Sequence, residues 1–594
     1  MAAATNVRQK IHVTDVAKGL IGMAPDLGTL TREGPGLLLR KPTDKMSVGR
    51  MFEKTAAKHP DRTFLKGEDH VTFTYDAANK RVNQYAHVLK EDYGVRRGDV
   101  VGIMAHSQVE YILMLLAAVK LGAIAGLLNY NQRGDVLAHS LGLLDSKVLL
   151  LEDGMQEDLA TAGDVGAAQT VLTMPDLAKL AREKGVTNPP DCAATVAKEQ
   201  AYYIFTSGTT GMPKASVMSH FRWLKSYSGL GALGVRLKSS DTIYCPLPLY
   251  HNNAVTVALS SALVNGSAFA VAKKFSASKF WDECIKYDAT AFVYIGELCR
   301  YLLAQPAKPV DTQHKVRVIV GNGLRPDIWH EFQDRFKIKR IAEFYGASEC
   351  NIAFINAFNI DQTAGTCPLP FTVVEYDPET GEAKRNDKGR LIKVKHGGTG
   401  LLLAKVSSRA PFDGYTDPAA TEKKLYRNAF KDGDTWFNSG DLVHKQGHLH
   451  VSFVDRLGDT FRWKGENVAT TEVEAVLGKA PGIEECTVYG VAVPGTDGKA
   501  GMGAIVLQEG ADFDGDQVGK ALTTGLPAYA VPLFLRVVDS LEHTSTFKSR
   551  KVELRDAGYS DMEHEVVFVL TDGKYVPYYP EYTQDVAAAK YPRI

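Results

Sequence analysis

The sequence of 594 residues lacks the features of disulfide-rich and nucleic-acid-binding proteins. Its seven cysteines are scattered, odd in number and never spaced as CxxC. That pattern argues against a disulfide framework or a zinc site and favours a reducing cytoplasm. Lys plus Arg equals Asp plus Glu at 69 each, so no net charge attracts nucleic acid or an acidic partner.

The sequence also has no long uninterrupted apolar run. Its N-terminus lacks the apolar core of a signal peptide. The most apolar segment, 112–128, contains Lys120, and Ser107 and Glu110 precede it at the spacing of a helix capping box. Because a membrane span needs about 20 apolar residues, we predict a buried core helix here. The chain is too long for one hydrophobic core, so two or more domains are expected.

Strand-like and helical patterns alternate through most of the chain. A helix is predicted from Ser47, a buried strand within 94–104, and another within 147–152. Such alternation is typical of a largely parallel sheet with helices on its faces, and so of an α/β protein.

The segment 202–214 reads YYIFTSGTTGMPK and predicts a strand followed by a phosphate-contacting loop. Small hydroxyl residues and glycines let backbone N–H groups approach phosphate oxygens, and Lys214 adds a cation. It is not a Walker loop, because Pro213 stands where the second glycine of that motif belongs. The residues we expect to contact phosphate are Thr206, Ser207, Gly208, Thr209, Thr210, Gly211 and Lys214.

Further polar segments follow predicted strands. Residues 316–323 predict a buried strand that runs into Gly321, Asn322 and Gly323, at the kind of strand end where open α/β sheets hold ligands. The sequence FYGASE at 344–349 then offers a ring for stacking on adenine, a hydroxyl for the α-phosphate and a carboxylate. That carboxylate, Glu349, is the best candidate ligand for Mg²⁺, which takes one or two carboxylates plus phosphate oxygens. The ring and the hydroxyl belong to Tyr345 and Ser348, on either side of Gly346.

The segment 436–459 suits ribose recognition. Asp441 follows a Ser-Gly turn and can accept both ribose hydroxyls, and Arg456 is the candidate for a second ribose or phosphate contact. His448 and His450 alternate with apolar residues, so we interpret them as the polar face of a strand rather than a metal pair.

Five blocks together, TSGTTGMPK, LPLYH, YGASE, SGD…DR and TSTFK, resemble the adenylate-forming superfamily in content and order. IGEL (295–298), GNGLRP and DRLGDTFRWKGENV are similar to the fatty-acid-transport-protein branch, the long- and very-long-chain acyl-CoA synthetases. The mycobacterial long-chain fatty-acid–CoA ligases are the nearest placement within that branch.

The resemblance implies a large N-terminal domain of layered sheets and helices, residues 1–455, which binds ATP and the acyl group. A small mobile α+β domain, residues 456–594, follows it. Gly458 stands at the implied hinge, where many relatives have Asp or Lys, and Gly465 lies where coenzyme A would approach. Phe547 replaces the glycine that usually precedes the mobile lysine, here Lys548.

The implied reaction converts a long- or very-long-chain fatty acid, ATP and CoA through an acyl-adenylate into acyl-CoA, AMP and pyrophosphate, with Mg²⁺ as cofactor. Lys548, Glu349 and Thr206 are the expected catalytic residues, and His251, after a proline-rich turn, is a candidate for contact with the acyl substrate. Two alternatives stay open: transfer of the acyl group to a carrier protein, and fatty-acid uptake by trapping at the membrane. The expected location is the cytoplasm, with peripheral attachment to the inner face of the cell membrane left open.

Overall fold

The computed structural model describes residues 8–206, 212–377, 380–457, 459–463, 466–496, 498–541, 551–559, 566–588 and 590–591. Two large sheets and their helices occupy the chain up to Arg456, and a smaller sheet follows. The predicted α/β class is confirmed. All seven cysteines are free thiols.

The first large sheet carries the predicted phosphate segment. Its strands are parallel except for the last, which is antiparallel to its neighbour. In spatial order they are Val171–Thr173, Val148–Leu151, Val100–Met104, Ile124–Leu127, Gln200–Thr206 and Lys214–Ser219.

The second large sheet has fourteen strands among the described residues. A parallel central part is extended by antiparallel strands on both sides. In spatial order they are Phe371–Val374, Thr399–Lys405, Thr435–Gly447, His450–Arg456, Gly365–Thr366, Phe354–Ile355, Arg340–Tyr345, Val318–Asn322, Ala291–Ile295, Thr242–Cys245, Ala268–Val271, Thr63–Lys66 and Thr72–Thr74, with Leu425–Arg427 beside Thr435–Gly447.

Helices cover these sheets, and two of them are π-helices, Tyr227–Val235 and Asn253–Leu259. The α-helices up to residue 456 are Val13–Met23, Leu27–Glu33, Gly36–Leu39, Val48–Lys58, Tyr75–Glu91, Val109–Lys120, Gly134–Leu144, Gln156–Ala160, Gly163–Ala167, Met174–Ala181, Asp191–Ala194, His220–Ser226, Ser260–Asn265, Phe280–Lys286, Gly296–Ala304, Trp329–Arg335 and Pro418–Glu422. Short 3₁₀ turns occur at Ala24–Asp26, Glu68–His70 and Pro309–Thr312.

After Arg456 the chain forms a second, smaller core. Its sheet has the order Ile483–Ala492, Lys499–Leu507, Phe534–Val537, Val566–Thr571 and Lys574–Pro577, with a separate pair Phe461–Trp463 and Glu466–Val468. Its helices are Thr470–Leu477, Gly515–Gly525, Lys551–Ala557 and Tyr582–Ala587. The hydrophobic residues of this core, from Phe461 to Val586, form a cluster of their own.

The apolar segment 112–128 forms a buried helix only in its first part. The helix spans Val109–Lys120, Gly122 follows with φ +69°, and Ile124–Leu127 is a strand. Lys120 is fully buried, where its ammonium lies 2.9 Å from Glu53 and donates to three asparagines. None of the described helices is long and apolar enough to cross a membrane.

The capping box predicted at Ser107 and Glu110 is wrong. The Ser107 hydroxyl accepts from Leu249 N, and Glu110 accepts from the Tyr85 hydroxyl. The similar Thr-x-x-Glu pattern at 471–474 fails too, since Thr471 donates to Val454 O. In both cases tertiary partners outcompete the local cap.

The strand predicted through His448 and His450 is also wrong at its start. His448 and Leu449 have φ of +48° and +61° and form the turn between two antiparallel strands. His450 begins the second strand, and its ring bonds the His448 carbonyl.

Candidate active site

The predicted phosphate segment belongs to a β-hairpin. Strand Gln200–Thr206 pairs antiparallel with Lys214–Ser219, and Thr206 lies opposite Lys214. Residues 207–211, which include the predicted contacts Ser207, Gly208, Thr209, Thr210 and Gly211, lie outside the described residues. The hairpin therefore places Thr206 and Lys214 side by side at the base of the loop.

A third segment runs along this hairpin. Val217 N donates to Gly414 O and Thr416 N donates to Ala215 O, both at 3.1 Å. These bonds place Tyr415, between Gly414 and Thr416, beside the hairpin strand that starts at Lys214.

The Gly321–Asn322–Gly323 segment needs both glycines. A Cβ at Gly321 would lie 2.2 Å from Tyr294 O, and Gly323 has φ +86°. The Asn322 side-chain oxygen accepts from Asn253 Nδ2 at 2.7 Å, which ties the segment to the π-helix after His251. The backbone here is thus tightly constrained at the end of its strand.

A buried carboxylate accepts hydrogen bonds from the backbone of this segment. Glu343 Oε1 accepts from Gly323 N at 2.6 Å and from Leu324 N at 3.3 Å, and the Tyr294 hydroxyl donates to Oε2. Burial raises the pKa of Glu343 to about 8, against the opposing effect of these hydrogen bonds. Sequence reasoning missed Glu343; a lone Glu inside the apolar strand Arg340–Tyr345 was the available signal.

Tyr345, Asp441 and Arg456 lie together. The Tyr345 hydroxyl donates to Asp441 Oδ2 at 2.5 Å, and Arg456 Nε lies 3.8 Å from Asp441 Oδ1. Asp441 and Arg456 are paired across two antiparallel strands, and Gly440, with φ +74°, makes the turn before Asp441. The Tyr345 ring stacks on Phe453 at 6.3 Å. Burial and then the Asp441 charge raise the pKa of Tyr345.

Glu349 lies next to Tyr415. Burial raises the pKa of Tyr415, and the Glu349 charge and its hydrogen bond to the Tyr415 hydroxyl raise it further, while Arg456 opposes them. Glu349 and Arg456 are therefore both close to Tyr415. Sequence reasoning missed Tyr415, because no sequence pattern connects it with Glu349.

Arg222 fixes the segment that carries Ser348 and Glu349. Its guanidinium donates to the carbonyls of Ser348 and Cys350 at 2.8 and 2.7 Å, and to Val217 O at 3.0 Å. Arg222 was also missed by sequence reasoning. A side chain would fit at Gly346, because an added Cβ would lie at an ordinary contact distance, 3.6 Å, from the Ala353 Cβ.

His251 is half-buried just before the π-helix Asn253–Leu259. Its ring lies 4.5 Å from that of Tyr250, which in turn packs edge-on against Tyr130. His251 is thus part of an aromatic cluster, joined to the Gly321–Gly323 segment through Asn253 and Asn322.

Gly458, Gly465 and Lys548 lie outside the described residues. No group of three or more His, Cys, Asp or Glu side chains within the described ranges could hold a metal ion alone. One carboxylate, Glu349, fits Mg²⁺ that is shared with phosphate oxygens.

Comparison with known proteins identifies the family. The AMP-binding enzyme model matches residues 52–398, and the AMP-binding enzyme C-terminal domain matches 472–548. The chain is 54% identical to the medium/long-chain-fatty-acid–CoA ligase FadD6 of Mycobacterium tuberculosis over 98% of both proteins. It is 39% identical to rat long-chain fatty acid transport protein 2, over 90% of this chain and 88% of that protein.

Solved structures share the fold. ATP-bound MatB from Rhodopseudomonas palustris superposes with a TM-score of 0.73 at 23% identity, covering 87% of this chain and all of MatB. The anthranilate CoA ligase AuaEII superposes with a TM-score of 0.75 at 19% identity, covering 86% of this chain and 97% of AuaEII. With two family models in order and a relative at 54% identity over nearly its whole length, this chain belongs to the AMP-binding enzyme family.

Proposed function

We propose that this protein is an ATP-dependent medium/long-chain-fatty-acid–CoA ligase, which forms an acyl-adenylate, releases pyrophosphate and then makes acyl-CoA. The observation that supports it most is the convergence of Tyr345, Asp441 and Arg456 on the second large sheet, beside the Glu349–Tyr415 pair. The identity of 54% to a fatty-acid–CoA ligase supports the substrate class.

Asp441 and Arg456 bind the ribose, and Tyr345 presents its ring to the adenine. Tyr345 also holds Asp441 in place through its hydroxyl. The backbone of the Gly321–Gly323 segment lines the adenine side of the nucleotide site, and Glu343 fixes this backbone by accepting from Gly323 N. His251 contacts the carboxylate end of the fatty acid.

Glu349 would hold Mg²⁺ near the phosphates of bound ATP, and the hairpin loop with Lys214 binds the pyrophosphate end of ATP. The metal neutralises phosphate charge when it is bound. The chain's own residues orient the acyl carboxylate and the α-phosphate for in-line displacement. Ser348 contributes its hydroxyl to the α-phosphate.

Residues 1–455 form the adenylation domain and 456–594 a mobile domain. Gly458 is the hinge, Lys548 bridges carboxylate and α-phosphate in the transition state, and Gly465 gives CoA room to approach. The protein works in the cytoplasm.

The defining experiment supplies saturated fatty acids from C8 to C26 with ATP, Mg²⁺ and free CoA, and measures pyrophosphate and acyl-CoA. The expected result is CoA-dependent thioester formation with medium and long chains. Acyl transfer to an added carrier protein, with none to free CoA, would contradict the proposal in favour of carrier loading. Fatty-acid uptake in cells that is unchanged in a variant without ligase activity would instead favour transport as the primary role.

Lys548→Ala tests the adenylation step separately. Loss of a charge donor to the transition state lowers rates by about 10²–10³. We expect ATP–pyrophosphate exchange to fall by that factor, with thioester formation from pre-formed acyl-adenylate much less affected. Lys590→Ala is the matched control: Lys590 is an exposed lysine of the smaller core whose ammonium lies 3.2 Å from Asp585, and we place it outside the catalytic groups. If Lys548→Ala catalyses ATP–pyrophosphate exchange at the wild-type rate, Lys548 does not act in the adenylation step.

A further inference from the structure

The N-terminal helical segment, residues 13–33, exposes apolar side chains along one continuous stripe. Helix Val13–Met23 is followed directly by a 3₁₀ turn and then by helix Leu27–Glu33. Met23, Ala24 and Leu27 have right-handed helical backbone, and Asp26 departs from it with φ −106° and ψ 7°. Residues at intervals of three and four lie on one face of such a helix. Val13, Leu20 and Leu27 are 67, 57 and 56% exposed, and Ile21 beside them is 74% exposed. Ala17 and Ala24 complete this face, which we call the outer stripe: Val13, Ala17, Leu20, Ile21, Ala24 and Leu27.

The opposite face of the same segment is fixed to the protein. Gly19 is buried, and its Cα packs so close to Phe358 that an added Cβ would lie 2.4 Å from the Phe358 Cβ. Asp26 lies 3.4 Å from Arg236 and 3.7 Å from Arg340. Arg32 donates to the Asn265 side chain at 2.5 Å. The outer stripe is therefore displayed by an anchored segment.

A surface helix of a globular protein normally turns its apolar face toward the core and its polar face toward solvent. Here the inner face packs on the protein, and the outer stripe meets solvent. Exposed apolar surfaces of this kind mark contacts with another protein or with a membrane.

The charged side chains of residues 8–45 that are exposed are all positive. Lys10, Lys18, Lys41 and Lys45 are all exposed. The four acidic residues of 8–45 are less exposed: Asp15 pairs with Arg8, Asp26 with buried arginines, Glu33 with Arg32, and Asp44 accepts from Lys41 N. The exposed charges of the segment that carries the outer stripe are therefore cationic.

We infer that residues 10–45 dock this enzyme onto anionic lipid bilayers, with the outer stripe among the acyl chains and the four lysines at the headgroups. An interfacial helix of this type buries its apolar side chains at the headgroup boundary, and each nearby Lys adds electrostatic attraction to anionic lipid. A second copy of the chain fits this surface less well, since symmetric pairing would bring its lysines together and like charges disfavour association. The inference goes beyond the proposed function, and no catalytic residue enters it.

The position of the segment also suits a lipid surface. Helix Leu27–Glu33 packs on the π-helix Tyr227–Val235, which in turn packs on the π-helix Asn253–Leu259 that follows His251. Docking through the outer stripe would therefore place a membrane next to the helical layer that borders the proposed acyl-binding residue.

The test is flotation of the full-length protein with two kinds of vesicle: phosphatidylcholine alone, and equal parts of phosphatidylcholine and phosphatidylglycerol. The wild type should float with the mixed vesicles, and rising salt should weaken this binding because it screens the lysines. The double variant Leu20→Asp/Ile21→Asp should lower the partition coefficient at least about tenfold, because it removes apolar burial and adds charge. Ile285→Asp, at a residue 43% exposed on helix Phe280–Lys286, is the matched control and should float like the wild type.

A second variant, Lys10→Glu/Lys18→Glu, tests the charges without altering the helix packing. The ratio of its binding to the mixed vesicles over its binding to phosphatidylcholine alone should fall by about tenfold or more. A wild type that stays with the soluble fraction would overturn the inference, as would equal loss in Ile285→Asp. Sedimentation velocity without lipid gives the remaining outcome: a wild-type dimer that Leu20→Asp/Ile21→Asp converts to monomer would assign the stripe to self-association.

Discussion

Tyr345 joins two regions of the candidate site through one hydroxyl. It ends strand Arg340–Tyr345, whereas its acceptor Asp441 lies on the antiparallel strand Thr435–Gly447. A hydrogen bond to a charged group contributes about 1.5–3 kcal/mol, and removal of the donor leaves a buried carboxylate short of one partner. The proposed ribose contact therefore depends on a residue that sequence reasoning assigned to adenine.

Tyr345→Phe should keep the ring and lose the fixed position of Asp441. We expect the KM for ATP to rise about tenfold or more, with a smaller change in kcat, measured by steady-state kinetics at saturating fatty acid and CoA. Tyr575→Phe is the control, because that hydroxyl donates to Pro532 O at 2.7 Å in the smaller core. The control should lower stability and leave the KM for ATP unchanged; a KM shift in the control alone would contradict this role of Tyr345.

Glu343 makes stability depend on pH. Its pKa is about 8 in the folded protein and near 4.5 when exposed, so the unfolded chain loses this proton first as pH rises. Between about pH 4.5 and 8 the folded state is progressively destabilised, by up to about 1.4 kcal/mol per pH unit. The groups that face it are Tyr294, the Cys299 thiol and the N–H groups of Gly323 and Leu324.

Glu343→Gln keeps an acceptor for Gly323 N and cannot titrate. Thermal melts from pH 5 to 8 should show a flatter fall of Tm in the variant than in the wild type. Parallel Tm curves for the two proteins would show that Glu343 does not titrate in this range. Glu472→Gln provides a comparison, because burial raises its pKa less.

At the scale of elements, the turn between strands Thr435–Gly447 and His450–Arg456 has a strained backbone conformation. His448 and Leu449 both have positive φ, a conformation that two-residue hairpins usually give to Asn-Gly. Left-handed backbone costs a residue with a side chain about 1–2 kcal/mol. Because this hairpin carries both Asp441 and Arg456, the turn affects the candidate site through its strands.

Leu449→Gly should stabilise the protein by about 1 kcal/mol, since it relieves the positive φ and removes an exposed apolar side chain. Urea denaturation followed by tryptophan fluorescence would measure it. Leu20→Gly, at another exposed leucine but in the interior of helix Val13–Met23, should destabilise by a similar amount. A loss of stability in Leu449→Gly would mean that the Leu449 side chain contributes packing that outweighs the strain.

These elements also show where sequence reasoning succeeds. Buried parallel strands such as Val148–Leu151 and Val318–Asn322 are near-continuous apolar runs, so pattern alone predicts them. Ser47 is a correctly predicted helix start, because its hydroxyl accepts from Arg50 N within the same turn. Local chemistry decides both cases.

Prediction fails where contacts between residues far apart in sequence determine the local structure. Ser107 had a suitable capping partner in sequence, yet Leu249, 142 positions away, takes its hydroxyl. Tyr415 reaches Glu349 only because residues 414–416 pair with the hairpin strand Lys214–Ser219. The apolar run 112–128 predicted one helix, and Gly122 ended it because a left-handed turn starts the next strand. No single-sequence pattern encodes these pairings.

At the scale of the whole molecule, a few polar contacts join the two cores. Arg300 Nη2 lies 2.9 Å from Glu485, Arg300 Nη1 donates to Glu484 O at 3.1 Å, and Lys479 lies 3.3 Å from Asp327. Near the proposed hinge, Asp455 accepts from Thr470 N at 2.6 Å, and burial raises the pKa of Asp455 to about 6. Interfaces of this polar kind usually allow domain motion.

If residues 456–594 rotate between adenylation and thioester formation, these contacts stabilise only one of the two arrangements. Arg300→Ala should therefore change the two half-reactions in opposite directions, measured as ATP–pyrophosphate exchange and as acyl-CoA formation from pre-formed acyl-adenylate. A general loss of stability would lower both rates. The ratio of the rates should shift about threefold or more, since contacts of this type couple by about 0.5–3 kcal/mol.

Glu485→Ala should shift the ratio in the same direction, and Arg300→Ala/Glu485→Ala should add little to either single variant. Lys315→Ala is the control, because the Lys315–Asp288 pair, at 2.7 Å, is exposed and lies within the large body. An equal fall in the rates of both half-reactions in Arg300→Ala would show that this contact does not influence the rotation. A ratio that changes in Lys315→Ala as well would point to a general effect of charge, because that pair lies far in sequence from every residue of the smaller core.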